Sequence, residues 1–168
     1  MIGSNTRDYQ QDAGESLYRR SVYTFWKRSA PPASLDVFNA PNREHCVVAR
    51  ERTNTPLQAL VTLNDPQYVE AACQLAQAAM KEAGPEDERR LSFIALRLLA
   101  REFTADELAI VKGSLGELGE YYAEHEAEAK QLIDVGETPP DGALPAGELA
   151  AWTMVVNELM NLDEVLNK

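Results

Sequence analysis

Residues 54–84 read NTPLQALVTLNDPQYVEAACQLAQAAMKEAG, and the fold is decided there. Proline fixes its own φ near the helical value and lacks a backbone N–H. It therefore sits without loss at the first position of a helix, where that N–H has no partner anyway. Asn54-Thr55-Pro56 and Asp65-Pro66 each put a side-chain acceptor directly before such a proline, the pattern of a capped helix start. Two helices are expected, a short one and then a longer one. In the longer one Val69, Ala72, Cys73, Ala76 and Met80 recur at helical spacing and form one apolar stripe, which should end at Gly84-Pro85. On this reading Cys73 is a core residue.

The helical pattern continues downstream. Glu86, Asp87 and Glu88 suit the positive end of a helix whose stripe is Leu91, Ile94, Ala95 and Leu98. Thr104 and Glu107 make a capping box before a stripe of Leu108, Val111, Leu115, Leu118 and Tyr122. Gly113, Gly116 and Gly119 interrupt that helix, where a bend or a close helix contact is expected. A short helix over residues 126–135 should stop at Gly136, and a last one over 146–159 should bury Leu149, Trp152, Thr153, Val156 and Met160.

Upstream the text changes character. Val22-Tyr23-Thr24-Phe25-Trp26 is β-branched and aromatic, a composition that favours a short strand, and Val47-Val48 is a second candidate. Pro31-Pro32 and Pro41 enforce turning or extended backbone between them. The fold class expected is mainly α. It is a single-domain helical bundle of residues 54–168, with residues 1–53 as an irregular basic and aromatic segment, holding one or two short strands, packed on that body.

The net charge of −11 over 168 residues is unevenly spread: residues 1–60 carry eight Lys and Arg against six Asp and Glu, and the remainder eight against twenty-one. A body this acidic excludes general nucleic-acid binding, which needs a cationic surface. No apolar run is long enough to insert in a membrane. Several catalytic patterns fail on spacing. Gly14-Glu15-Ser16-Leu17-Tyr18 lacks the second glycine of a nucleophile elbow, and His125-Glu126 lacks a second histidine at position 129. There is no CxxCH, so no haem or other cofactor is expected on this chain itself. Cys46 and Cys73 have no neighbours at metal-ligand spacing, so no metal is expected either.

The strongest polar constellation is Arg19, Arg20, Lys27, Arg28, Arg43, Glu44, Arg50, Arg52 and Asn54, interleaved with Tyr23, Phe25, Trp26 and Phe38. Arginine forks beside aromatic faces can grip a carboxylate, a sulfate or a sugar ring. The structural reading has the same arginines pairing inward with Asp36, Glu44, Glu51 and the acidic helices, and it is the one favoured.

Several stretches together carry a family resemblance: Asn5-Thr6, Tyr9, Gly14-Glu15-Ser16-Leu17-Tyr18-Arg19-Arg20-Ser21, FWKR at 25–28, PNRE at 41–44 with Cys46, RTNTPLQAL at 52–60, ELAAW at 148–152 and NLDE at 161–164. They resemble the C-terminal domain of unknown function of large planctomycete proteins, in which it often follows a cytochrome-c-like haem domain. That resemblance implies a piece of a longer, exported protein, with any haem in an upstream domain, and it names no reaction. Where the family carries Phe-Asp-Ala-Pro, this chain has Phe38-Asn39-Ala40-Pro41. The expected role is a non-catalytic module that packs against upstream domains of its own chain or against a partner protein. The alternative is an anion- or carbohydrate-binding unit, with acidic polysaccharide as ligand, of an enzyme whose catalytic residues lie upstream.

Overall fold

In a computed structural model that describes residues 12–27, 31–42 and 44–167, both proline-started helices form where the sequence places them. Helix α2 spans Pro56–Asn64 and α3 spans Pro66–Glu82; a short α1, Ala33–Val37, precedes them. Thr55 caps α2 through a reciprocal box with Gln58, and the Asp65 side chain accepts from the Gln67 N–H at 2.9 Å to cap α3. Asp65 ends one helix and begins the next with no intervening residue. Beyond Ala83, Gly84 takes φ +85° and stops α3, as a left-handed position after a helix requires.

Four further helices complete the body and one short helix follows it: α4 at Asp87–Leu98, α5 at Ala105–Glu124, α6 at Glu126–Ile133, α7 at Ala146–Met160 and α8 at Asp163–Leu166. The expected mainly helical single domain is what forms. All five residues of the α3 stripe are buried, as are Leu91, Ile94 and Ala95 of α4 and Tyr122 of α5.

Helix α7 is the centre of the molecule rather than a last element docked onto it. Leu149, Ala150, Ala151, Trp152, Thr153, Val155, Val156, Asn157 and Leu159 are all buried, so most of the helix surface is covered, Glu148 and Glu158 being its exposed positions, and α3, α5 and α6 supply most of the cover. The text ELAAWTMVV carries that signal, because a helix apolar all round belongs inside. Gly147 lets the α7 start approach α5: a Cβ there would stand 3.1 Å from the Tyr122 carbonyl oxygen.

Two expectations need correction. The short strands proposed at 22–26 and 47–48 do not form, and no strand occurs among the described residues. Residues Ser21–Tyr23 make a 3-10 turn instead, closed by the Tyr23 N–H on the Arg20 carbonyl at 3.0 Å and the Thr24 N–H on that of Ser21 at 3.1 Å. A β-branched and aromatic run has strand preference only where a neighbouring strand shares its ladder, and none is offered here. The glycines of α5 neither break the helix nor sit against a neighbour. Helix α5 is continuous through them, and a Cβ added at Gly113, Gly116 or Gly119 would meet nothing within 4 Å.

Arg101, beyond α4, holds the far end of the body together. Its guanidinium reaches both Glu107 oxygens at 2.8 Å and Glu164 Oε2 of α8 at 2.7 Å. The Glu107 carboxyl is held down to about 2 by Arg101 and by the Thr104 N–H. A depressed acid contributes stability above its ordinary value of 4.5 that disappears as pH falls through about 2. Thermal stability should therefore drop on acidification across that window. Glu107→Gln should flatten this part of the profile; an unchanged profile would show the cluster to be thermodynamically idle.

Candidate functional site

The unusual polar residues of the first sixty positions are engaged in tying chain segments together. Tyr18 donates its hydroxyl to Glu70 Oε1 at 2.6 Å, and Glu70, although buried within α3, also accepts from the Glu137 and Thr138 N–H groups at 3.1 and 3.0 Å. Burial pushes the Glu70 carboxyl up, but hydrogen bonds from Thr138, from Tyr18 and from those two N–H groups outweigh it and hold it below the ordinary carboxylate range. Gly14, at φ +59°, donates its N–H to Glu137 Oε2 at 2.7 Å. One carboxylate thus joins the N-terminal segment to the α6–α7 connection.

The 52–60 stretch is a second joint. Thr53 Oγ1 accepts from Asn39 Nδ2 at 2.6 Å and from Gln58 Nε2 at 2.8 Å, while Gln58 Nε2 also reaches the Val37 carbonyl at 2.9 Å. Asn54 donates to Asp163 of α8 at 3.2 Å, and Thr62 donates to Asn161 Oδ1 at 2.9 Å. Asn39 takes φ +54°, a left-handed position that asparagine and aspartate tolerate because a short polar side chain bonds locally. Amide or carboxylate at that site is accordingly a turn-forming choice, and the amide has the donor that Thr53 meets.

The constellation read from the sequence is only partly gathered. Arg19, Arg20, Arg50 and Arg52 are exposed, and their side chains make no hydrogen bond or ion pair among the described residues. Lys27 is half-buried, Glu44 is exposed with its N–H on Asn42 Oδ1 at 3.1 Å, and Asn54 serves the α8 joint. Arg28 and Arg43 lie outside the described residues. For the four described arginines the favoured inward pairing does not occur: the joints are made by neutral side chains and by Glu70. Beside Arg19 and Arg20 in the chain stand exposed Val22, Tyr23 and Phe25, and beside Arg50 and Arg52 stands exposed Val48, with Tyr23 72% and Phe25 64% accessible. Both stretches are therefore basic and uncovered, and the first is aromatic.

A second feature escaped the sequence reading. Between the start of α4, the glycine side of α5 and the start of α7 lies an open groove of about 870 Å³. Leu115, Gly116 and Gly119 form one wall, Ala151 and Trp152 the floor, and Glu86, Asp87, Glu88 and Glu148 the rim. Lys112 pairs with Glu88 across it, Arg90 with Glu148 at 2.6 Å, and Arg89 with Glu86 at 2.7 Å, whereas Asp87 has no ion-pair partner among the described residues. The glycine spacing in α5 was its signal, since the missing side chains of Gly116 and Gly119 on one side of the helix leave room beside it.

Among the described residues no group of three or more His, Cys, Asp and Glu is placed to hold a metal. Cys46 is exposed, and Cys73 is buried with Gln77 Nε2 at 3.8 Å from its sulfur, its thiol pushed up by burial. His125 stacks on Tyr121 with ring centroids 4.2 Å apart and serves as the joint between α5 and α6. No helix among the described residues is long and apolar enough to cross a membrane.

Residues 2–115 match the family model described as PSD1, protein of unknown function (DUF1553). No curated protein and no solved structure matches the chain.

Proposed function

Since the chain belongs to the DUF1553 family of proteins of unknown function, and its distinctive polar residues serve as joints, we propose that it is a non-catalytic interaction module of a larger exported protein. The observation that supports this reading is that Arg19, Arg20, Arg50 and Arg52 are all exposed, with uncovered Tyr23 and Phe25 close to the first pair in the chain. Neighbouring exposed aromatics and arginines are the residue types that dominate binding energy at protein interfaces. The surface faces upstream domains of the same polypeptide or a partner protein, and any haem belongs to such a neighbour.

Hydrogen exchange provides the test. Amides of residues 12–27 and 44–53 should exchange more slowly in the longer polypeptide or with its partner than in this chain alone. Equal rates in both settings would overturn the proposal. A second reading rests on the same four arginines, which suit an acidic glycan. Binding of a sulfated polysaccharide at low salt, abolished by Arg50→Ala/Arg52→Ala at unchanged melting temperature, would put that reading first.

A further inference from the structure

We infer that the partner this cationic aromatic surface fits is the acid-rimmed groove of a second copy of the same chain, a reading that rests on the interaction role proposed above. Two surfaces in one molecule are each incomplete. One presents exposed Tyr23 and Phe25 close in the chain to exposed Arg19 and Arg20, which have no ion-pair partner among the described residues. The other has an apolar floor at Trp152 and Ala151, a wall without side chains at Gly116 and Gly119, and carboxylates around its mouth. Although three rim acids have basic neighbours, the body from residue 61 onward carries eight Lys and Arg against twenty-one Asp and Glu, so an arginine approaching the groove meets a strongly negative field.

The two surfaces do not meet within one copy: Tyr23 and Phe25 stand exposed, and no residue of 12–27 lines the groove. Joining different surfaces of successive copies is a head-to-tail contact, which builds rings or open chains. An aromatic side chain entering the groove would stand beside Leu115 and over Trp152, and its flanking arginines would face Asp87 and Glu148. The groove volume of about 870 Å³ is in the range of sites that enclose a sizeable guest.

Analytical ultracentrifugation of the chain over a range of concentrations tests this. At low salt the average mass should rise with concentration, and at about 1 M salt, where screening acts within ~3 Å, it should return to the monomer. Tyr23→Ser/Phe25→Ser should weaken association by roughly 30-fold or more, as loss of interface aromatics does. Gly116→Leu should do the same by filling the groove. An added Cβ there meets nothing within 4 Å and leucine is the better helix former, so the melting temperature should hold or rise, and its measurement separates loss of association from unfolding. Mixing the two variants is the diagnostic step. Each retains one intact surface, so the mixture should form heterodimers and nothing larger.

A chain that stays monomeric at every concentration in low salt overturns the inference, as does a Gly116→Leu variant that associates like the parent. If the chain is monomeric but residues 12–27 gain exchange protection in the longer polypeptide, the interaction role stands and only self-docking falls. If neither occurs, both fall.

Discussion

Replacing Trp152 by Ala is expected to destabilise the protein by about 3–5 kcal/mol, the usual range for emptying a buried aromatic site. Trp152 is 2% accessible at the middle of α7, with the Arg90 guanidinium 5.5 Å from its ring centre. Arg90 in turn holds the Gly84 carbonyl at 2.8 Å and Glu148 at 2.6 Å, so one ring supports the α3–α4 turn and the start of α7 together. The cavity cannot close easily, because α7 is held in place by α3, α5 and α6. For a domain of this size the melting temperature should fall by roughly 6–20 °C. A fall of only a degree or two would mean that α4 and α5 collapse onto the vacated space.

Glu70→Ala should have the next largest effect, about 3 kcal/mol, because it leaves the Glu137 and Thr138 N–H groups without their acceptor at roughly 1–3 kcal/mol each. It should also free the N-terminal segment, which loses the Tyr18 bond, so exchange at residues 14–20 should accelerate before the body unfolds. Gly136 offers an internal control. At φ +109° a side chain is strained in any case, and its Cβ would lie 2.6 Å from Glu70 Cδ and 2.7 Å from Glu70 Cβ. Gly136→Ala should therefore be destabilising alone and less so in the Glu70→Ala background, where the contact with the carboxyl group is gone and only the one with Cβ, which alanine keeps, remains. Urea denaturation of the four proteins gives the coupling directly. Strict additivity would show that the Glu70 side chain swings aside without loss.

The helices were legible because their signals are local. Thr55 and Asp65 announce a start within three residues, and the period from Val69 to Met80 needs only one helix to be read. The joints were not legible. Gly14 meets Glu137 across 123 positions and Asn54 meets Asp163 across 109, and no local pattern links such partners. The arginine-rich segment misled for a related reason. Charge suggested inward pairing, yet Tyr18, Asn39 and Gln58 make the ties, since neutral groups satisfy buried backbone with less desolvation than guanidinium groups would need. The glycines of α5 revealed missing side chains but not what stood opposite, which turned out to be open space.

The shared residue between α2 and α3 has a consequence for chain length. With Asp65 alone between Asn64 and Pro66, the rotation of α3 about its own axis is indexed to α2 one residue at a time. Inserting a single residue into the first turn of α3 would turn the rest of that helix by about 100° relative to what precedes it. Val69, Cys73 and Ala76 would then leave the core side, and Glu70 would no longer face Tyr18. Side chains around this junction can be exchanged at the scale of a lost cap, whereas any added or deleted residue sets the whole first third of the molecule out of phase with the rest.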